Sequence, residues 1–261
     1  MNNLSPVKLP IYVSITSIYK NQNPLYETLK SILIQTIPPD KIFIYLSEEP
    51  YILDDGFIDK KITDNNLLNL INNTPNIELN WVKNIGSYRK LLPLLKDKWK
   101  EDCIIITFDD DTIYNNNLIK NLINDYNNNK CVIGYSGFTP TFREFKDFNY
   151  LKRGLTHNVS LYNFLTGKGG ILYKPDFFHK TENLIFNEEI FLNTCDKQDD
   201  VWFYLIRILN NIKCYLSQKD WLSKNIITRG LYDNYNSKNN NNTIAFKNTI
   251  LKLSELGYKF I

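Results

Sequence analysis

Three adjacent aspartates, Asp109, Asp110 and Asp111, follow the most apolar run of the chain, residues 103–108 (CIIITF). Adjacent carboxylates repel one another, so a site that holds them together needs a compensating cation. In an Asp-x-Asp pattern at a strand end, the first and third carboxylates can point into one cleft. One can bind a hard divalent ion such as Mg²⁺ or Mn²⁺, which substrate phosphates complete, while the other accepts hydrogen bonds from a ligand hydroxyl. A solvated acidic loop that caps the next helix is the alternative interpretation.

The elements that would position this triplet alternate along the first half of the chain. Four apolar, β-rich runs predict strands, at residues 11–18, 41–47, 77–82 and 103–108. Helical apolar spacing follows each strand, most clearly in the stripe of Leu25, Leu29, Ile32 and Leu33. This βαβα order predicts an α/β fold, with a central, mostly parallel sheet flanked by helices.

The second half of the chain is less regular. Strands are predicted at residues 131–135 and 170–173, with an aromatic-rich excursion over 138–165 between them, and a helix at 199–212. An asparagine-rich linker over 235–242 precedes a short amphipathic helix. We therefore expect residues 1–233 to form the main domain and residues 234–261 to form a linker and a C-terminal helix.

Composition excludes several classes of protein. Aromatic residues make up 14% of the chain, which is a core-building composition and not that of a disordered protein. The 31 basic and 28 acidic residues nearly balance, so bulk charge gives no support to nucleic-acid binding. The four cysteines form no CxxC pair, which predicts reduced thiols, and no apolar stretch is long enough to span a bilayer. These features predict a soluble, cytoplasmic protein.

Ligands of open α/β sheets bind beyond the carboxyl ends of the strands. Three segments are expected to converge there, namely residues 14–17, 47–49 and 109–111. The glycines that precede the strand at 170–173 permit close approach of the backbone, although a plain turn explains them as well. The acidic pair Asp199 and Asp200 begins an apolar helix, where the helix dipole favours carboxylates, so N-capping is one complete explanation of it.

Four motifs in order resemble those of glycosyltransferases of the GT-A fold, in the family-2-like and exostosin-like branches. They are NIGSYRKLLPLL (residues 84–95), ITFDDDTIY (106–114), GKGGILYKP (167–175) and QDDVWFYLI (198–206), and the resemblance covers residues 12–229. It implies a Rossmann-like, mixed but mostly parallel sheet flanked by helices. It also implies transfer of a sugar from a nucleotide-diphosphate donor, most often a UDP-sugar, to an acceptor hydroxyl on a glycan, a lipid-linked molecule or a protein.

Carried over residue by residue, the resemblance implies that Asp111 is the direct ligand of Mn²⁺ or Mg²⁺. Asp109 would contact the donor ribose or help to hold the metal, and Asp110 would support both. The resemblance places Asp200 as the general base of an inverting displacement, with Asp199 orienting the acceptor or the sugar. The remaining donor contacts that it implies are Ser14, Thr16, Glu48 or its neighbour Glu49, Lys90, Gly169 and Gly170.

Other residues of chemically active types are expected to have structural or solvent-exposed roles. Both histidines, His157 and His179, and the tryptophans Trp202 and Trp221 are expected to be structural. Arg143, Lys152 and Arg153 are solvated charges by default, although they are also candidates for binding an acidic acceptor.

Two other functions stay open. One is a nucleotidyltransferase on a related fold. Such an enzyme usually has a Gly-rich loop after the first strand, and the absence of glycine from residues 14–21 counts against it. A binding module without turnover is the second alternative. Residues 229–242 are a candidate lid over the bound diphosphate.

Overall fold

The computed structural model describes residues 9–154, 158–217, 219, 222–226 and 240–260. Its strands are β1 (Ile11–Thr16), β2 (Lys41–Leu46), β3 (Ile77–Trp81), β4 (Ile104–Phe108), β5 (Thr112–Tyr114), β6 (Val132–Gly134), β7 (Gly137–Phe138), β8 (Val159–Ser160), β9 (Phe164–Leu165), β10 (Ile171–Tyr173), β11 (Cys214–Leu216) and β12 (Ser223–Asn225). Its helices are α1 (Gln22–Leu33), α2 (Asn65–Asn73), α3 (Leu92–Asp97), α4 (Leu118–Asn129), α5 (Glu182–Ile185), α6 (Glu188–Thr194), α7 (Asp199–Leu209) and α8 (Asn241–Glu255).

A central sheet of eight strands in the order β3-β2-β1-β4-β10-β6-β11-β8 organises the fold. Strands β3, β2, β1 and β4 are parallel to one another, and β10 lies antiparallel between β4 and β6. All five residues of β4 are buried, as expected of a strand covered by helices on both faces. The predicted α/β class, a mostly parallel sheet flanked by helices, is confirmed.

The helical stretch between β3 and β4 is divided in two. Residues Gly86–Lys90 form a 3-10 turn, and α3 begins only at Leu92. Pro93 has no N–H to donate, so it is tolerated in the first turn of a helix but not in its interior. The division leaves Lys90 at the junction between the turn and the helix.

The last helix packs on the rest of the fold. α8 contacts α6 and α7, and the ring of Phe246 is stacked on Phe148 with the two centroids 3.6 Å apart. The helix begins at Asn241, inside the segment predicted as a linker, because burial of Phe246 and Leu253 compensates for the weak helix propensity of asparagine. The segment 229–239, which holds most of the candidate lid, lies outside the described residues.

Two further expectations concern burial and membrane insertion. All four cysteines are buried and unpaired, as the sequence predicts. Across the described part of the chain, no helix combines the length and the apolar character that crossing a bilayer requires.

Candidate active site

A cleft of about 780 Å³ opens beyond the carboxyl ends of β1 and β4. It is lined by all three aspartates that follow β4 and by both acids that begin α7. It is also lined by Thr16, at the end of β1, and by Lys90. The parallel sheet and the start of α7 thus bring together two acidic motifs that lie far apart in the sequence.

Asp110 is the anchored member of the triplet. Its Oδ2 accepts hydrogen bonds from the Ser17 hydroxyl and from Asn21 Nδ2, the latter at 3.1 Å. Its main-chain oxygen accepts a hydrogen bond from Thr28 Oγ1 at 2.9 Å. Burial and the charge of Asp111 raise the pKa of Asp110 to about 7, against the hydrogen bonds from Ser17 and Asn21. Asp110 therefore ties the end of β4 to the end of β1 and to α1.

Asp109 and Asp111 lie at the cleft surface. Burial, and then the charge of Asp109, raise the pKa of Asp111 to about 6. The main-chain N–H of Asp109 donates to the Tyr114 hydroxyl at 2.9 Å, which fixes the backbone at this point. The repulsion between the two carboxylates is the condition that a bound cation relieves.

These residues suit an open divalent-metal site. A Cβ placed on Gly167 would lie 2.7 Å from Asp109 Oδ1, so this glycine keeps space beside the carboxylate. Among the described residues, no three His, Cys, Asp or Glu side chains gather into a closed metal site. Two hard carboxylates, with the remaining positions left to water and substrate phosphates, match the manner in which Mg²⁺ is usually held. Asp111 and Asp109 are the residues that would hold it.

Lys90 joins the two acidic motifs. Its buried ammonium lies 3.2 Å from Asp109 Oδ1 and 3.1 Å from Asp199 Oδ2. Burial alone would lower the pKa of Lys90, but the charges of Asp109, Asp199 and Asp200 outweigh it and hold the pKa well above the usual value. Lys90 is therefore a permanent cation within an acidic cleft.

The two acids of α7 differ in their contacts. Asp199 Oδ1 accepts a hydrogen bond from Ser87 Oγ at 2.7 Å, whereas Oδ2 has only the ion pair with Lys90. Asp200 lines the cleft next to Gly167. Burial, with the charge of Asp199, raises the pKa of Asp200 well above the usual range, and Lys90 partly opposes this rise. Both acids line the cleft, and Asp199 is the one that Ser87 and Lys90 hold in place.

A buried ion pair that the sequence did not indicate forms another wall of the cleft. Arg89 Nη2 donates to Asp54 Oδ2 at 2.9 Å, and both side chains are almost completely buried. Asp54 also accepts hydrogen bonds from the main-chain N–H groups of Tyr19 and Gly56. Nothing in the spacing of these residues marks them as partners, because only the tertiary fold brings the two segments together.

Several predicted donor contacts lie elsewhere. Ser14 is buried within the sheet, Glu48 is exposed, and neither lines the cleft. Gly170 adopts a φ of +74°, and a Cβ on it would lie 2.6 Å from the Phe108 ring, so its requirement for glycine is structural. Gly169 packs against Ser136 in the same way. Of the three glycines that precede β10, Gly167 is the one that lines the cleft.

The histidines, tryptophans and basic residues that were expected to be structural or solvent-exposed differ in where they lie. The His179 ring bonds the Trp99 main-chain oxygen at 2.9 Å, and Trp202 is fully buried, so both are structural as predicted. Of the three basic residues of the excursion, Arg153 lines the cleft and Arg143 and Lys152 do not. His157 and Trp221 lie outside the described residues.

Known structures resemble this fold, whereas no family model and no curated protein matches the sequence. The crystal structure of S. aureus TarS 1–349 superposes with a TM-score of 0.50 at 16% identity, covering 82% of this chain and 62% of that one. TarS 1–349 in complex with UDP gives a TM-score of 0.52 at 16% identity, over 81% and 58% of the two chains. A further crystal structure of S. aureus TarS gives a TM-score of 0.51 at 16% identity, over 80% of this chain and 35% of that one.

The chain thus has the fold of a GT-A-type glycosyltransferase, as the sequence motifs imply. It spans less than two thirds of the TarS chains that it resembles.

Proposed function

We propose that this chain is a metal-dependent glycosyltransferase that moves a sugar from a nucleotide-diphosphate donor to an acceptor hydroxyl. The observation that carries the proposal is the convergence of the Asp109–Asp111 carboxylates and the α7 acids in one cleft of a GT-A-type fold, with Lys90 between them. A UDP-sugar is the proposed donor, and the UDP complex of TarS supports that choice.

The acidic triplet forms the donor end of the cleft. Mn²⁺ or Mg²⁺, held by Asp111 and Asp109, would offset the negative charge that develops on the departing diphosphate. Asp110 keeps the two carboxylates in place through its hydrogen bonds to Ser17 and Asn21. Thr16 stands at the β1 end of the same cleft, where the nucleoside half of the donor would lie.

Asp200 is the proposed general base. It accepts the proton of the acceptor hydroxyl as that oxygen bonds to the anomeric carbon, while the bond from that carbon to the donor phosphate breaks and its electron pair leaves with the diphosphate. A base with a raised pKa transfers protons efficiently near neutral pH, provided that it is ionised before the reaction. Asp199, held by Ser87 and Lys90, fixes the start of α7 and therefore the position of Asp200.

The experiment is a screen of nucleotide-diphosphate sugars in Mn²⁺, in Mg²⁺ and in excess chelator. Thermal shift measures donor binding, and nucleotide release measures turnover. A ligand at one hundred times its Kd stabilises the folded protein by about 2.7 kcal/mol, which such a screen detects readily. We expect a UDP-sugar to give both signals only with metal.

The matched variants are Asp111→Asn and Asp55→Asn, because Asp55 is exposed and does not line the cleft. The first should lose both signals and the second should keep them. Binding without release of nucleotide by the unmodified protein would favour the non-catalytic module instead. Full turnover by Asp111→Asn would refute the metal assignment.

A further inference from the structure

One end of the cleft has a lining unlike the rest. It is formed by three aromatic residues, Phe138, Tyr150 and Phe164, together with Arg153 and Asn242, and we call it the aromatic end. The rings of Phe138 and Tyr150 have centroids 4.9 Å apart, and Phe138 and Phe164 lie 5.2 Å apart. Phe164 belongs to the segment that continues to Gly167, which adjoins Asp200. The aromatic end and the proposed base therefore line the same cleft.

Asn242 is a buried polar residue that lines this end of the cleft. It lies in the first turn of α8 and is only 6% exposed, and among the residues that the structure describes its side chain has no hydrogen-bond partner. The Asn242 amide is open to the cleft and is not sealed in the core. A ligand group that enters the aromatic end would supply the missing hydrogen bonds.

The N-terminus of α8 adds a second feature at the same place. The Asn240 side chain accepts a hydrogen bond from Thr243 Oγ1 at 2.6 Å and caps no main-chain N–H of the helix. Tyr150 is joined to this turn, because its main-chain N–H donates to Thr243 Oγ1 at 3.0 Å. An uncapped helix N-terminus carries partial positive charge and favours anions.

Arg153 supplies a full positive charge. Its guanidinium lies 4.8 Å from the centre of the Phe138 ring, and within the described ranges it forms no ion pair. The carboxylates that line the cleft all belong to the post-β4 triplet, to the start of α7 or to the Asp54–Arg89 pair. The aromatic end thus combines a cation, a helix N-terminus and an unpartnered amide, and it contributes no carboxylate.

We infer that the acceptor of the proposed transfer carries an anionic group, a phosphate ester or a carboxylate, that binds at the aromatic end between Arg153 and the first turn of α8. The aromatic rings would pack against the carbon skeleton of the acceptor, and its hydroxyl would face Asp200. This inference rests on the proposed function, because it names the class of acceptor for the same cleft.

The test compares neutral and anionic acceptors that share a skeleton. Glucose, glucose 1-phosphate and glucuronate form one set, and glycerol with glycerol 3-phosphate forms a second. With the donor identified by the screen above, we expect kcat/KM to be at least about tenfold higher for an anionic member, because charge-assisted hydrogen bonds are stronger than neutral ones. Comparing glucose 1-phosphate with glucuronate shows whether the site prefers a phosphate ester or a carboxylate.

Two variants locate the effect. Arg153→Gln should lower the anionic-to-neutral ratio of kcat/KM by about tenfold. Asn242→Asp should lower it as well, although a carboxylate in the first turn stabilises α8. Lys152→Gln is the matched control, since Lys152 is exposed and does not line the cleft, and its ratio should stay unchanged. A merely structural role for Asn242 would not lower the ratio.

The outcomes separate the inference from the proposed function. If the protein turns over a donor but uses neutral and anionic acceptors equally, or if both variants keep the ratio of the unmodified protein, the inference is wrong and the function stands. If no donor is turned over, ligand-observed NMR still compares binding of glucose 1-phosphate and glucose. Equal binding of the two would overturn the inference on its own.

Discussion

Lys90 Nζ lies 3.1 Å from Asp199 Oδ2, so the last residue of the 3-10 turn that follows β3 forms an ion pair with the first residue of α7. The same ammonium lies 3.2 Å from Asp109 Oδ1. One cation therefore holds the proposed donor end and the proposed base helix at a fixed separation. The resemblance implied a donor contact for Lys90, and its position in this structure adds a role in holding the site together.

Replacing Lys90 by methionine should impair both stability and activity. Asp109 and Asp199 would lose their shared cation, and removing one partner of a buried ion pair costs about 3–5 kcal/mol. Because Asp109 is partly exposed, we expect a loss near the lower end of that range. Lys90 also lowers the pKa of Asp200, so the loss of its charge should raise that pKa further, and the acidic limb of the pH–rate profile should move to higher pH.

Urea unfolding and the pH profile of kcat/KM measure these two effects. Lys96→Met is the control, since Lys96 is an exposed lysine of α3 without an ion pair among the described residues. An unchanged profile together with unchanged stability in Lys90→Met would show that the two ion pairs contribute nothing.

Replacing Asp111 by asparagine should stabilise the protein at neutral pH while it abolishes activity. The pKa of Asp111 is raised from 3.8 to about 6 in the folded state, so between these values the folded protein binds more protons than the unfolded chain. Stability therefore falls as pH rises through this window and stays reduced above it. Allowing for the partial exposure of Asp111, the variant should gain about 1–2 kcal/mol above pH ~6 and little at pH ~4.

Thermal unfolding at these two pH values is the measurement, without metal. With Mn²⁺ and UDP present, the unmodified protein should regain the difference, because a bound cation relieves the same repulsion. A lower melting temperature of Asp111→Asn at neutral pH would contradict the repulsion account.

The central sheet and the acidic triplet could be predicted because each rests on local patterns. The continuous apolar run of β4 predicts a buried strand, and the triplet at its end predicts a cleft. The different environments of the three aspartates depend on partners from distant segments. Ser17 and Asn21 hold Asp110 by hydrogen bonds, whereas Asp111 lies at the cleft surface. No spacing rule connects such residues to their partners.

The start of α8 could not be predicted, because the local sequence preference there differs from the observed structure. Asparagine has weak helix propensity, so the run at residues 239–242 predicts a linker. Tertiary packing of Phe246 overrides that preference and extends the helix to Asn241. The same packing places Asn242 in the cleft, which no local pattern could indicate.

Replacing Phe246 by alanine should destabilise the whole chain. The ring is fully buried and stacked on Phe148, and truncating a buried phenylalanine costs about 3–5 kcal/mol. Because α8 packs on α6 and α7, we expect one cooperative unfolding transition at a lower temperature. Ile244→Ala is the control, since Ile244 is 50% exposed and its loss should change stability by less than about 0.5 kcal/mol. A separate early transition in Phe246→Ala would instead show that α8 folds independently of the main domain.

Replacing Asp200 by asparagine should remove the acidic limb of the pH–rate profile. Burial, together with the charge of Asp199, raises the pKa of Asp200 well above the usual range for aspartate, so the carboxylate is protonated at low pH and cannot accept a proton. For the unmodified protein, kcat/KM should therefore rise with pH through the pKa of Asp200. The variant should be slower by about 10²- to 10⁴-fold, and its residual rate should lack this dependence.

Binding of UDP and metal separates a lost base from a damaged fold. Asp200→Asn should keep the thermal shift given by UDP with Mn²⁺, because the donor end is formed by the triplet after β4. Asp196→Asn is the matched control, since Asp196 precedes α7, pairs with Lys197 at 2.8 Å and does not line the cleft. Asp196→Asn should keep both the kcat/KM of the unmodified protein and the acidic limb of its pH–rate profile. If Asp200→Asn retains the acidic limb, the proton acceptor is another group, and the assignment of Asp200 as base fails.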